Sequence, residues 1–330
     1  LEQEKIFRDY EDSIIEIKKY IKILSNPKEL DMVMKKELEI VKSEYGEPRR
    51  SSITLDEGEL KKEDLVKKEE VIVVLTKEDY VKRLPLSEFK SQRRGGRGIN
   101  ATRFKEGDEA KLLCKAHTHD VLLCFSTYGK VYAIRVFDLP DPSRQARGRP
   151  INNVLPLNND EQISTFVVVK SFDEDGHLFL STKFGMINKI PISLFKKIRN
   201  TGLKAILLKP KDELLGALYT TGKNKIMLIA DNGKAIKFSE TDVRVRFRGT
   251  LGVRGINLPK DTKLKSILKP EGGEIITITE NGYGNRVSAD SYNTQKRGGM
   301  GVIGIKTSKR NGKVVGAVNV NDGDNIILIT

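Results

Sequence analysis

"LLCFSTYGKVYAI", residues 122–134, joins two short apolar runs through a turn that carries a glycine. The cassette returns as "VVLTKEDYVKRL" (73–84), "LFLSTKFGMINKI" (178–190), "MLIADNGKAIKF" (227–238) and "ITITENGYGNRV" (276–287). Runs rich in β-branched and aliphatic residues on either side of such a turn read as β-hairpins. Asn232–Gly233 and Asn281–Gly282 are expected to form two-residue turns with positive φ at both central positions. Gly129, Gly185, Gly233 and Gly282 occupy equivalent places, 56, 48 and 49 residues apart. A second landmark, Asp108, Asp160, Asp212 and Asp261, follows each hairpin at spacings of 52, 52 and 49. A period of about fifty residues, with about four short strands in each unit, is the pattern of a bladed toroid whose blades pack face to face. Five units are complete, and "DNIILIT" at 324–330 begins a sixth. The expected fold is therefore mainly β over residues 71–330, preceded by an α-helical segment.

Between each hairpin and the strand that follows lies a basic, glycine-bearing stretch. The first, "SQRRGGRGIN" (91–100), packs three arginines and three glycines into few positions and holds no acid. The later copies are "RQARGRPIN", "KIRNTGLKA", "FRGTLGVRGIN" and "QKRGGMGVIG". Anchored on Arg97, Arg149, Gly202, Arg254 and Gly301, they recur at spacings of 52, 53, 52 and 47. Radial repetition turns one such loop into a belt of cations. Arginine presents a planar fork that matches phosphate oxygens, and glycine lets backbone N–H groups approach the same oxygens. The candidate contacts are Gln92, Arg93, Arg94, Gly95, Gly96, Arg97 and Gly98 in the first loop, then Arg144, Arg147 and Arg149, then Lys197, Arg199 and Lys204, then Arg246, Arg248 and Arg254, and finally Lys296 and Arg297. The third copy has lost most of its glycines, which makes it the weakest of the five.

The charge balance agrees. The chain carries 59 Lys+Arg against 45 Asp+Glu, a net charge of +14. Residues 1–70 hold 15 against 19, so the remainder holds 44 against 26 and is strongly basic. A basic domain joined to a mildly acidic one is the footprint of a polyanion binder.

Residues 1–45 read as helix. Ile6, Tyr10, Ile14, Ile17, Ile21 and Leu24 recur at threes and fours. Ser25–Pro27 interrupts, and a second amphipathic segment runs from Leu30 to Tyr45 before Gly46 and Pro48. Three regions are expected: a helical arm at 1–48, a charged linker at 49–70 with one short strand near Ile53–Leu55, and the repeats at 71–330. The chain begins at Leu1 and ends on an apolar run, so both ends read as cuts through a longer protein. No apolar run approaches the ~18 residues that cross a bilayer. Two cysteines make no disulfide framework, which fits a cytoplasmic setting. "CKAHTHDVLLC" gathers Cys114, His117, His119 and Cys124, but thiols inside apolar strands with imidazoles in the turn do not give the paired spacing of structural zinc. Buried thiols and exposed imidazoles are expected there instead. No paired carboxylates or nucleophile–base pair stands out, so no catalytic residue is assigned.

"QRRGGRG" at Gln92–Gly98 resembles the gyrase-A box, the signature heptapeptide of the C-terminal DNA-wrapping domain of DNA gyrase A proteins; all seven positions match. "LEQEKI" and "YGEPRRSSI" resemble the returning arm of that protein's coiled-coil stalk and its exit from the breakage–reunion domain. The resemblance implies a six-bladed β-pinwheel, here with its sixth blade truncated, whose strands are exchanged between neighbours and whose basic rim bends duplex DNA. It further implies a holoenzyme with the gyrase B protein and a second gyrase A protein (A2B2), no membrane, a cytoplasmic, chromosome-associated location, and negative supercoiling driven by ATP with Mg2+. Those cofactors would act elsewhere, since the strand-cleaving tyrosine of the family lies upstream and the ATPase is in the gyrase B protein. This stretch would then be non-catalytic. The A-type protein of topoisomerase IV has a similar pinwheel, but the intact heptapeptide favours gyrase. A propeller enzyme working in a central channel is the alternative of a different class; it would need acids or metal ligands on the inner strands, which are apolar here.

Overall fold

The computed structural model describes residues 2–47, 51, 65–86, 108–140, 148–173 and 175–324. The chain divides into two compact units, residues 1–60 and 61–330. In the first, α1 (Glu2–Ser25) and α2 (Pro27–Tyr45) are separated by Asn26 alone. The Asn26 side chain accepts the Lys28 N–H at 3.1 Å and Pro27 occupies the first turn, where its missing donor costs nothing. Neither helix has a buried residue, and Ile6, Tyr10, Ile17, Ile21 and Leu24 lie exposed along α1. The short strand expected at Ile53–Leu55 lies outside the described residues.

The second unit is a β-propeller-like arrangement of five blades. In sequence, the first repeat contains β1 (Glu70–Thr76), β2 (Tyr80–Pro85) and β3 (Ala110–His117). The second contains β4 (Val121–Ser126) and β5 (Lys130–Arg135), followed by the two-residue β6 (Arg149–Pro150) and by β7 (Ile163–Val169). The third has β8 (His177–Thr182), β9 (Met186–Pro191), β10 (Leu203–Lys204), β11 (Ile206–Leu207) and β12 (Leu214–Thr220). The fourth has β13 (Lys225–Ala230), β14 (Lys234–Ser239), β15 (Thr250–Leu251), β16 (Val253–Arg254) and β17 (Leu264–Leu268). The fifth has β18 (Glu274–Thr279), β19 (Gly284–Ser288), β20 (Val302–Ile303) and β21 (Val314–Val320).

Sheet order departs from sequence order in one consistent way. The sheets run β3-β1-β2-β6, β10-β5-β4-β7, β12-β8-β9-β16, β17-β13-β14-β20 and β19-β18-β21. Each repeat therefore builds a hairpin and a returning strand, and in the first four the fourth strand of the sheet is lent by the basic loop of the next repeat. β6 pairs back onto β2, β10 onto β5, β16 onto β9 and β20 onto β14.

Blade packing explains why the hairpin strands are continuously apolar rather than alternating. On β4, Leu122 and Cys124 pack with Val71, Val73 and Leu75 of the first blade, whereas Leu123 and Phe125 pack with Leu178, Leu180 and Ile190 of the third. Successive side chains point to opposite faces of a strand, so a strand buried on both faces must be apolar at every position. Buried lysines rivet two of the joints. Lys189 Nζ donates to the Glu240 carbonyl at 3.1 Å and Lys237 Nζ to the Ala289 carbonyl at 2.8 Å, each acceptor opening the short 3-10 turn of the following repeat.

Two sequence expectations are corrected here. Gly129, Gly185, Gly233 and Gly282 all have positive φ, but Asn232 and Asn281 do not. Their hairpins are type I turns closed by a left-handed glycine, with the glycine N–H returning to Ser126, Thr182, Ala230 and Thr279. In the first repeat Asp79, at φ 60°, takes the glycine's place and donates to the Thr76 carbonyl. The acidic landmark also shifts. Lys77, Thr127, Lys183 and Asp231 donate to the carbonyls of Glu109, Gln162, Glu213 and Lys263, which makes Asp108, Glu161, Asp212 and Thr262 equivalent. Asp160 and Asp261 stand one residue earlier, in the left-handed region that Asx side chains tolerate. Asp108 and Asp212 do share a duty: each accepts the N–H of a residue in the hairpin turn, Glu78 and Phe184 respectively, at 3.0 Å.

Candidate nucleic-acid interface

The basic loops of the second to fifth repeats are entered in the same way. The second hairpin strand ends in a 3-10 turn, Val136–Asp138, Ile192–Phe195, Glu240–Asp242 or Ala289–Ser291. The first N–H of that turn bonds back to Asp120, Gly176, Asn224 or Gly273, where the hairpin begins. The chain then crosses to the neighbouring blade. The loop of the third repeat is the shortest, from Ile192 to Leu203, against Glu240 to Val253 and Ala289 to Val302.

The crossing is clasped at the neighbour's hairpin turn. Asp79 O accepts from Ile151 N at 2.7 Å, Gly129 O from Ala205 N at 2.8 Å, Gly185 O from Gly255 N at 2.8 Å and Gly233 O from Gly304 N at 2.9 Å. The pairing also resets the phase of the loops. Arg149, Leu203, Val253 and Val302 face Val81, Val131, Ile187 and Ala235, so the equivalent glycines are Gly148, Gly202, Gly252 and Gly301. Spacing alone aligns Arg149 and Arg254 with Gly202 and Gly301 instead. A Cβ at Gly148, Gly252 or Gly301 would stand 2.6, 2.6 or 2.5 Å from the carbonyl oxygen of Val81, Ile187 or Ala235, and one at Gly202 would stand 2.6 Å from the Tyr132 ring. In these four loops glycine is required by close backbone approach to the neighbouring blade, whatever it offers an anion.

Successive loops also touch each other. β11 pairs in parallel with β15, Gly249 N donates to Ala205 O at 2.9 Å, and Gly298 N donates to Gly255 O at 2.6 Å. Loops three, four and five thus form a continuous hydrogen-bonded belt. Arg297 straps the last junction: its Nε donates to the Asp242 carbonyl at 3.1 Å and its Nη1 to the Arg254 carbonyl at 3.0 Å. Arg246 donates from Nη1 to the Leu251 carbonyl of its own loop. A guanidinium has five N–H donors, so both arginines keep donors for a ligand while their forks are held in place.

Arg149, Lys197, Arg199, Lys204, Arg248, Arg254 and Lys296 are exposed on these loops, and Arg246 and Arg297 are half-buried. Gln92, Arg93, Arg94, Gly95, Gly96, Arg97, Gly98, Arg144 and Arg147 lie outside the described residues. The sequence reading passes over Arg244. It lines a 260 Å³ pocket with Asp242, Arg246, Val253 and Arg297. The alternation "RVRFR" at 244–248 is its signal, since it spaces three arginines through one loop.

The cysteine–histidine cluster does not converge. Among the described residues no three His, Cys, Asp or Glu side chains gather as they would to hold a metal. Cys124 is buried and Cys114 half-buried. Burial pushes the Cys114 thiol up to about 12, and the Cys124 thiol is raised by burial and then by Cys114. His117 is exposed, but His119 is half-buried, with Nε2 2.9 Å from the Val66 carbonyl and its ring edge-on to Phe137.

Comparison with known proteins adds the family. The model of the DNA gyrase C-terminal domain, a β-propeller, matches residues 70–110, 120–170, 176–221, 224–269 and 273–321. The chain is 42% identical over 331 residues to the DNA gyrase A protein of Salmonella typhimurium, covering 100% of this chain and 38% of that protein. It is 41% identical over 255 residues to that of Haemophilus influenzae, covering 77% and 29%. The chain thus spans about a third of the length of these relatives. Among solved structures, a DNA gyrase A C-terminal domain superposes with TM-score 0.68 at 31% identity, over 77% of this chain and 84% of that one. The C-terminal domain of a DNA topoisomerase IV superposes with TM-score 0.62 at 27% identity, over 78% and 79%.

Proposed function

The chain belongs to the DNA gyrase C-terminal β-propeller family, and on that premise we propose that it binds duplex DNA along its loop belt and bends it around the blades, so that a gyrase holoenzyme can introduce negative supercoils with ATP. The observation that carries this reading is the belt itself: the basic loops of repeats three to five, hydrogen-bonded to one another and strapped at the last junction by Arg297. A row of fixed cations suits a long polyanion, and contacts to phosphate position DNA without reading its sequence. DNA bent over such a row is selected by its deformability.

The remaining elements of the reading follow the family. A sixth blade would close the ring, its loop supplying the fourth strand beside β19. The apolar stripe of α1 would pair in a coiled-coil stalk belonging to the breakage–reunion part of the gyrase A protein. The gyrase B protein and a second gyrase A protein would complete an A2B2 assembly in the cytoplasm on the chromosome, and ATP and Mg2+ would act in those other parts. No helix among the described residues is long and apolar enough to cross a membrane. The topoisomerase IV reading shares the fold, but the intact "QRRGGRG" at 92–98 favours gyrase.

The test is topological. Nicked circular DNA sealed by ligase in the presence of the chain should show a change in linking number that grows with protein until saturation. Binding without any linking change would leave a DNA-binding domain that does not wrap, and an absence of both would overturn the reading.

A further inference from the structure

We propose that Phe247 is a DNA-contacting residue, whose ring packs on the apolar deoxyribose face of the duplex and gives the wrap a salt-independent anchor in the fourth repeat. This inference rests on the DNA-wrapping reading and deepens it.

Phe247 is 73% exposed, the most exposed large apolar side chain among the described residues from 71 to 324. Its backbone is nonetheless well held. Arg246 N donates to the Lys189 carbonyl at 2.9 Å, Gly249 N to the Ala205 carbonyl at 2.9 Å, and Thr250 Oγ1 to the Phe247 carbonyl at 2.8 Å. An anchored loop that keeps Phe247 in water, together with Val245 at 50% and Leu251 at 44% exposure, presents a group of exposed apolar side chains, which is a candidate contact for something outside the chain.

The surroundings choose the partner. Arg246 and Arg248 stand on either side of Phe247 in the sequence, and the same loop lines the pocket that Arg244, Arg246 and Arg297 share with Asp242. Arg244, Arg246, Arg248 and Arg297 outweigh Asp242, so this surface repels a second copy of itself and any basic protein. The occupant must combine dense negative charge with apolar surface beside it. A nucleic-acid strand does so, with sugar between its phosphates. A free phosphate or polyphosphate offers only the charge.

The fifth repeat supplies an internal comparison. Gln295 N donates to the Lys237 carbonyl as Arg246 N does to that of Lys189, so Lys296 is the structural equivalent of Phe247. One position on the belt thus carries a cation in one loop and a phenyl ring in another. The first kind of contact works by counterion release and fades with salt, and the second removes apolar surface from water and does not.

The experiment separates the two by salt titration of the 330-residue chain on a linear duplex of about one persistence length, ~150 bp. F247A should leave the slope of log affinity against log salt unchanged and lower affinity by about three- to tenfold at every salt concentration. F247K, which copies the fifth loop, should steepen the slope by about 0.9 and fail to recover the affinity lost at high salt. Because the chain has no tryptophan, F247W places a single indole at the site. Its emission should be quenched and shielded from acrylamide on adding duplex, whereas the indole of Y128W, on a hairpin tip, should not respond. The inference is overturned if F247A binds like the native chain at all salts, or if the F247W indole stays open to acrylamide on DNA. It is equally overturned if F247A changes sedimentation of the DNA-free chain and nothing else, which would make the ring a contact between copies. A native chain that binds no duplex would sink the wrapping reading and this inference with it, an outcome visible before any variant is made.

Discussion

The carbonyl of Gly233, in the hairpin turn of the fourth repeat, accepts the backbone N–H of Gly304, in the crossing loop of the fifth, at 2.9 Å. The contact joins two blades through main chain alone. It works only because Gly233 has no side chain: a Cβ there would lie 2.0 Å from the Ile305 carbonyl oxygen.

Gly233 and Gly282 have nearly the same φ, 78° and 79°, yet nothing lies within 4 Å of a Cβ built at Gly282. Alanine at Gly282 should cost only the left-handed backbone penalty, about 1–2 kcal/mol. Alanine at Gly233 adds overpacking, for a total of about 2–5 kcal/mol. Urea unfolding of the two variants measures the difference directly. Equal losses would mean that the clasp at Gly233 contributes nothing.

Arg297 offers a test of fixed geometry against charge. R297K keeps the cation but cannot reach both the Asp242 and Arg254 carbonyls in a planar fork. Its salt slope on duplex DNA should therefore match that of the native chain, while the ligase-trapped linking change falls. R297A should lose both. If R297K wraps DNA as fully as the native chain, the strap has no part in shaping the belt.

Binding should be governed by phosphate neutralisation. One or two phosphates per repeat over five repeats predict a slope of about −5 to −9 in log affinity against log salt. Replacing Arg93, Arg94 and Arg97 with alanine should leave about a tenth to a hundredth of the affinity and abolish most of the linking change. The other loops can still hold a straight duplex patch by patch, whereas bending 20–30 bp costs roughly 1–6 kcal/mol that only the full belt offsets. A full wrap by the triple variant would make the first loop one contact among equals.

The cysteines predict a pH dependence. Burial holds the Cys114 thiol at about 12 against an ordinary value of 9.0, so near pH 8 its thiolate fraction is lower by about three powers of ten. Alkylation of the native chain should be very slow there and rise about tenfold per pH unit below 12, while at pH 8 it should reach ordinary rates only in denaturant. Fast labelling at neutral pH would show that the β3–β4 region opens.

The hairpins, their period, the glycines of their turns and the basic character of the loops were legible in the amino-acid sequence. Each rests on local chemistry: strand propensity, a positive φ at Gly129 or Gly185, a cluster of guanidiniums. The boundary between α1 and α2 was legible for the same reason, since Asn26 and Pro27 act within one turn. The partner of each loop was not. Nothing local says that Arg149 pairs with Val81, or that Gly252 is a glycine because of Ile187. Hydrogen bonding between repeats uses backbone groups that every residue carries, so it leaves no periodic side-chain signal. For that reason repeat spacing misaligns Arg254 with Gly202 by two positions and the aspartate landmark by one, and it misses that Arg297 and Arg246 are straps as well as cations. The sequence alone determined that this protein is a chain of basic-looped β-hairpins; only the tertiary structure, by pairing a loop with the blade before it, decided that loops three, four and five join into one belt.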